Sequence, residues 1–287
     1  MNNTLTLSFA AMTAFAFNSL LCRLALGTSA IDPLSFTSIR LVSGAATLVC
    51  LGLILKKQQG DSSPSLRMSL ALGVTLFGYA LSFSLAYITL DTGTGALILF
   101  GTVQFALILH HRFSGHKLSF VEMIGIAVAL GGFVLLMLPS ASQPSILGAL
   151  LMMVSGLCWS GFTLLGKKVA SPITATRQGF VVASILVIVA VLVHGLTAST
   201  TSYLTLSGSF YALLSGIVAS ALGYYLWYRL LPKIDVLEAS LMQLTVPVIA
   251  LLLGWLFLAE SPSLLALIAT LFILSGIALT SWAKARK

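Results

Sequence analysis

Three guanidinium groups stand inside otherwise apolar runs of the chain, at Arg23, Arg40 and Arg177. Arginine keeps its charge at physiological pH and presents a planar fork of donors matched to carboxylates. In an apolar medium such a charge is costly, which makes it a functional candidate by default. Arg177 stands near the end of its run, where its stem can carry the charge to water. Arg40 lies about 10 Å inside its run at ~1.5 Å per helical residue. Two roles stay open for Arg40: an anion site, or a structural role at a helix end with Asp32 or backbone carbonyls as partners. Arg23 has the same two options, with the structural one favoured.

Aromatic and amide side chains accompany the arginines at helical spacing. Phe15 and Asn18 share a face of one run, and Tyr79 and Phe83 share a face of another. Ser155, Trp159 and Phe162 do the same in a third run, Ser220, Tyr224 and Trp227 in a fourth, and Gln243 and Pro247 in a fifth. Spacings of three, four or seven residues put side chains on one side of a helix. Trp and Tyr ordinarily favour the two membrane interfaces. Trp159 and Tyr79 instead fall near the centres of their runs, where a polar N–H or O–H needs a partner. The expected substrate-binding set is Phe15, Asn18, Tyr79, Phe83, Trp159, Tyr224 and Gln243, with plain core packing as the alternative for each aromatic. Pro247 cannot donate a backbone hydrogen bond, so it is expected to bend its run as a hinge or as a simple packing kink.

Several chemistries are excluded by position. Asp32, Asp61, Asp91, Asp235, Glu238 and Glu260 fall in loops or at run ends, and Glu122 falls in the first turn of its run. No carboxylate sits near the middle of a run, which argues against an acidic proton relay and against a site for cations, which need a charge partner or an aromatic cage. No paired carboxylates and no Ser/His arrangement suggest catalysis, so no catalytic residue is named and an enzyme is not expected. His110, His111 and His116 cluster without the spacing of a metal site, so no metal is expected. Gly161-x4-Gly166-Lys167 resembles a phosphate-binding loop, but Lys168 replaces the required Ser or Thr. No nucleotide or other cofactor is therefore expected. Cys22, Cys50 and Cys158 read as small core residues with no disulfide framework.

These residues must be positioned by membrane-spanning helices. The chain is 58% hydrophobic and 8% charged, with a mean hydropathy of +1.06. Ten apolar runs fall at about 4–27, 33–55, 66–89, 92–111, 118–138, 144–168, 173–194, 207–230, 236–257 and 262–282. Each has roughly the ~20 residues a helix needs to cross a bilayer. The first run lacks a basic leader and is longer than a signal core, so it is expected to be retained. Lys56, Lys57 and Arg67, then Arg112 and Lys117, Lys167 and Lys168, Arg229 and Lys233, and finally Lys284, Arg286 and Lys287 mark every second gap and the tail. The gaps between them hold no Lys or Arg. Basic loops stay in the cytoplasm, so both termini should be cytoplasmic. The net charge of +8 then reflects topology rather than a nucleic-acid patch. The loops are short, so the protein must work between helices within the lipid bilayer. With the native cysteines removed, a cysteine at Ser62 should be shielded from impermeant thiol reagent in intact cells, and one at Thr200 should react. The reverse labelling would overturn this topology.

The chain also repeats itself. Phe15, Leu20, Leu21 and Arg23 match Trp159, Leu164, Leu165 and Lys167 at an offset of 144, as Phe113, Ser119 and Gly132 match Phe257, Ser263 and Gly276. Tyr87 and Leu90 match Tyr228 and Leu231 at an offset of 141. Five spans per half is an odd number, so the second half enters the membrane in the opposite sense. The expected fold is an all-α integral membrane protein of ten transmembrane helices in two inverted five-helix repeats, 1–142 and 143–287. Such repeats can open to either side around a midplane site.

Tyr228-Arg229-Leu230-Leu231, Glu238-Ala239-Ser240, Pro247, Glu260 and Leu274-x-Gly276, with Cys158-Trp159-Ser160-Gly161-Phe162, resemble an EamA-type repeat of the drug/metabolite transporter superfamily. Within it the chain is most similar to YddG-type exporters of aromatic amino acids. The first half departs from the pattern, with Val103 opposite Pro247 and His116 opposite Glu260. The resemblance implies a monomeric carrier in the bacterial cytoplasmic (inner) membrane, with runs 1–4 and 6–9 around a cavity and runs 5 and 10 behind. Its partners would be a small-molecule substrate and lipid, and its activity the export of aromatic and other apolar amino acids. A broad drug or metabolite exporter of the same fold, or a non-transporting membrane scaffold, are the alternatives.

Overall fold

Side-chain caps start most of the helices. Ser65, Ser119, Ser145 and Thr205 each accept the backbone N–H of the residue three positions on. Asp32, Ser171 and Ser263 do the same for Ser35, Thr174 and Ala266. Each cap satisfies an N–H that the first helical turn leaves unpaired. Pro33 and Pro172 occupy first helical positions, where a missing N–H costs nothing.

The computed structural model describes residues 2–54, 64–113, 115, 118–137, 144–169, 171–197, 203–230, 233–234 and 242–285. Lys56, Lys57, Asp61, Ser62, His116, Lys117, Thr200, Leu231, Asp235, Glu238, Ala239, Ser240, Arg286 and Lys287 lie outside the described residues. The helices are α1 (Asn2–Gly27), α2 (Pro33–Ile54), α3 (Leu66–Ala86), α4 (Thr92–Phe113), α5 (Phe120–Leu136), α6 (Ile146–Gly166) and α7 (Pro172–Thr197). They continue as α8 (Leu206–Leu214), a π-helical segment (Ser215–Leu222), α9 (Gly223–Leu230), α10 (Thr245–Leu258) and α11 (Leu264–Ala285). Among the described residues, eight helical stretches are long and apolar enough to cross a membrane, with α8 through Trp227 counting as one. Two shorter apolar helices, α5 and α10, accompany them.

Two departures from the sequence expectation bear on function. The eighth run is not uniformly α-helical: its middle widens into a π-helix, a form that is rare and often found at functional sites. The ninth run is interrupted by a turn at Leu244 before α10 begins. Pro247 stands just beyond that turn and has no N–H to offer the carbonyl of Gln243, four residues back.

Packing follows small residues. α3 lies against α6 and α7, α4 against α6, and α2 against α7. α1 lies against α8, the π-helical segment, α9 and α10, while α5 pairs with α11. A side chain on Gly216 would run into Ser43 and the Arg40 carbonyl, so only glycine lets the π-helical segment approach α2 this closely. In the α5–α11 pair, a Cβ on Gly276 would sit 2.5 Å from the Ala129 nitrogen and the Gly125 oxygen. These are backbone atoms and cannot rotate away. Close backbone approach is the main source of helix association in lipid, where burial between helices gains little. Gly276→Val is therefore expected to cost about 1–3 kcal/mol of overpacking strain. It should lower the yield of monodisperse protein in detergent while leaving transport per folded molecule intact. Large apolar side chains such as Val74, Leu157, Ile185, Leu192 and Leu271 are exposed on the outer helix faces, as lipid contact requires.

Candidate functional site

Side chains from seven described segments of the chain converge near the middle of the bundle. Trp159 of α6 stacks on Tyr224 of α9, with centroids 5.2 Å apart and planes 19° from parallel. It also meets Tyr79 of α3 at 5.0 Å and its own neighbour Phe162 at 5.4 Å. Phe15 of α1 meets Tyr224 at 5.5 Å and Trp227 at 6.2 Å. Phe83 lies 5.4 Å from Tyr79 and 4.7 Å from Tyr87. These tilted and offset arrangements suit the ring quadrupoles. Rings in such contact leave no room for another molecule between them.

Arg40 sits among these rings and is 1% exposed. Its guanidinium lies 5.2 Å from the Tyr79 centroid and 5.0 Å from that of Phe83. Nη2 donates to the Tyr79 hydroxyl at 3.0 Å, and Nε donates to Ser220 Oγ of the π-helical segment at 3.3 Å. Nη1 has no partner among the described residues. One turn further along the bundle axis, Ser215 of the same segment donates to Asn18 Oδ1 at 2.5 Å. Ser155 of α6 donates to the Tyr79 carbonyl at 3.0 Å.

Of the residues named from sequence, the structure joins Phe15, Tyr79, Phe83, Trp159, Tyr224 and Arg40 through these contacts. Asn18 is buried and bonded to the π-helical segment. Gln243 is half-buried just before the Leu244 turn, and Pro247 is buried just after it. Three participants were not named as site residues from the sequence: Ser215, Tyr87 and Phe180, whose ring lies 5.9 Å from Tyr224. Phe180 sits in the very apolar α7, where nothing local separates a site residue from a lipid-facing one. Ser215 could have been noticed, because it precedes Ser220 by five residues, the spacing a π-turn makes co-facial.

Of the structural partners expected for Arg23 and Arg40, Asp32 or backbone carbonyls, the structure gives Arg23 the carbonyls of Tyr87 and Ile88 and shows no pairing of either arginine with Asp32 among the described residues. Asp32 Oδ1 instead accepts the Ser35 N–H and caps α2. Arg23 Nε donates to Glu260 Oε1 at 2.9 Å, its Nη1 donates to the carbonyls of Tyr87 and Ile88 at 3.2 and 2.9 Å, and its Nη2 lies 3.5 Å from Asp91. Glu260 Oε2 accepts the Thr92 N–H at the start of α4 at 2.7 Å, where the helix dipole also favours a negative charge. One carboxylate thus ties the end of α1 and the start of α4 to the α10–α11 connection. Burial pushes the Asp91 carboxyl above its ordinary range; Glu260 adds to the rise and Arg23 opposes it. At this same end, Asp32 N–H donates to the Tyr203 carbonyl and Thr205 N–H to the Ala30 carbonyl. A pocket of about 50 Å³ beside Asp91, Glu260 and Ser263 is far below the ~300 Å³ of a typical ligand site.

A bundle of apolar helices closed around buried aromatics and one buried arginine has clear sequence relatives. The EamA-like transporter family model matches residues 3–138 and 146–282. The chain belongs to the EamA-like transporter family. An uncharacterized Pseudomonas aeruginosa protein is 44% identical over 277 residues, covering 96% of this chain and 93% of its own. An Escherichia coli protein named "Probable amino-acid metabolite efflux pump" is 25% identical over 244 residues, covering 74% of this chain and 79% of its own. A solved crystal structure covers 100% of this chain and 99% of its own with a TM-score of 0.66 at 20% identity, a likeness of fold. Membership of this family makes the protein a multi-pass membrane transporter rather than an enzyme.

Proposed function

We propose that this transporter exports amino acids, aromatic and other apolar ones, from the cytoplasm by alternating access. The observation that carries this reading is the set of contacts joining residues before 142 to residues after 143: Tyr79 on Trp159, Phe15 on Tyr224, Asn18 on Ser215 and Arg40 on Ser220. A site made by both halves changes shape when the halves move against each other.

The packing supports two inverted repeats of five spans. Exchanging each run for its mate turns α3 on α6 into the π-helical segment and α9 on α1, and α4 on α6 into α10 on α1. The pairs α2–α7, α4–α10 and α5–α11 map onto themselves. The alternating basic loops assign the Arg23–Glu260 end to the outside, so the outer entrance is closed and tied in this conformation. The break at Leu244 and Pro247 gives the ninth span a bending point. The names of the Escherichia coli relative and of a Streptantibioticus cattleyicolor relative, "Probable terminal-alkyne amino-acid exporter" at 20% identity, favour amino acids over cationic drugs. The inner membrane, cytoplasmic termini and a monomeric state complete the proposal.

Purified protein in liposomes tests it. Labelled phenylalanine, tryptophan and leucine should show counterflow, and a labelled cationic drug should not; drug counterflow alone would favour the broad exporter, and no counterflow of any kind the scaffold. The described carboxylates lie at helix ends or in connections, so movement should not require proton exchange. At zero membrane potential, a pH gradient alone should drive no uphill amino-acid movement. Uphill movement would direct attention to His194, Glu238 and Glu260.

A further inference from the structure

We infer that Arg40 reads the substrate's carboxylate, and that the site selects a carboxylate on an apolar body while the amino group is dispensable. This deepens the proposed amino-acid site and rests on its location among the aromatic rings.

The inference starts from an incomplete set of bonds. Arg40 is 1% exposed and permanently charged, yet it forms no ion pair among the described residues. Two of its nitrogens reach neutral hydroxyls, on Tyr79 and Ser220, and Nη1 reaches nothing among the described residues. A buried donor left in this way is costly, more so on a charged group. The rings of Tyr79 and Phe83 offset part of the cost by cation–π attraction, but they provide no negative charge. The missing element is an anion with oxygens spaced for a planar fork, which a carboxylate provides. The apolar remainder of such a molecule would lie against Trp159, Tyr224 and Phe15 once the rings part.

The same geometry weighs against the amine. An aromatic cage is the usual way to hold an ammonium without a carboxylate, and here the faces of Tyr79 and Phe83 are already taken by the guanidinium. A second cation would meet like charge. The neutral acceptors at hand, such as Asn18 Oδ1, already accept from Ser215, and an uncharged acceptor contributes less than an ionised one. A zwitterion therefore gains most of its recognition at one end, and an aromatic monocarboxylate without an amine should bind as well.

The experiment compares phenylalanine, 3-phenylpropionate and 2-phenylethylamine on the purified protein in two readouts. One is thermal stabilisation in detergent, which needs no transport. The other is competition against labelled phenylalanine counterflow in liposomes. Phenylpropionate should stabilise the protein and compete within about threefold of phenylalanine, and phenylethylamine should do neither at ten times the concentration. Arg40→Lys keeps the charge and loses the fork, and should weaken stabilisation by phenylpropionate about tenfold or more. If Arg40→Lys fails to fold, the three-ligand comparison on the unaltered protein decides alone. Stabilisation by phenylpropionate without phenylalanine transport would uphold the carboxylate site and overturn the amino-acid reading. Phenylalanine transport with no effect of phenylpropionate, or with an equal effect of phenylethylamine, would overturn the carboxylate inference and leave the amino-acid reading standing. Stabilisation by none of the three would overturn it as well.

Discussion

Trp159→Ala and Tyr79→Ala are each expected to cut transport per folded molecule by about tenfold or more, a loss of ~1.4 kcal/mol or greater. Trp159 is in ring contact with Tyr79, Phe162 and Tyr224, and each such pair contributes about 0.5–1.5 kcal/mol beyond burial. Tyr79 adds a hydrogen bond to the Arg40 guanidinium; without it a second nitrogen of a buried charge loses its partner. Part of each loss will appear as reduced folding, so transport must be divided by the amount of monodisperse protein recovered from the membrane. Tyr79→Phe separates the two contributions, because it keeps the ring over Arg40 and removes only the hydroxyl. Its effect should fall between those of unaltered protein and Tyr79→Ala. If activity merely follows protein amount in all three variants, these rings are core packing and the proposed substrate set is wrong.

Glu260→Gln is expected to loosen the end of the bundle that Arg23 ties. Both carboxylate oxygens are in use as acceptors, one for Arg23 Nε and the other for the Thr92 N–H. A glutamine has one acceptor oxygen, so its NH2 must face one of those two donors. The Arg23 and Glu260 side chains are only 19% and 13% exposed, so water replaces the lost contact poorly. Asp91 already accepts from another Arg23 nitrogen, Nη2, at 3.5 Å, so it compensates little for the lost contact. Hydrogen bonds to charged groups contribute about 1.5–3 kcal/mol, enough to raise the open fraction roughly tenfold or more. Cys22, adjacent to Arg23 and fully buried, reports this directly. With Cys50 and Cys158 replaced by alanine, an impermeant thiol reagent applied to proteoliposomes should modify Cys22 about tenfold faster in the Glu260→Gln protein. Equal rates would mean that the Arg23–Glu260 pair does not hold this end closed.

Much of the fold was legible because hydropathy and helical periodicity are local properties. Apolar runs of bilayer length announce spanning helices, because each run is read from its own residues. Co-facial spacing was enough to pick out Phe15, Tyr79, Trp159 and Tyr224, because a helix fixes which side chains share a side. The missing donor of Pro247 is likewise local, since it acts four residues back along its own helix.

The choice of partners was not legible. Arg23 lies closer in sequence to Asp32 than to Glu260, 237 residues away, yet it bonds to Glu260. Nearness along the chain has no bearing on which helix ends meet across a bundle. Nor could spacing tell an arginine that serves a helix end from one that lacks a counter-charge: both look like a lone Arg in an apolar run. The π-helical segment meets α1 and α2, where Ser215 reaches Asn18 and Ser220 reaches Arg40, contacts between residues far apart in the chain. The sequence by itself determined a membrane-spanning helical protein, the alternation of its loops, and the faces that carry aromatic and polar groups. Tertiary packing alone decided which faces met, because that depends on polar pairs and glycine contacts between residues far apart in the chain.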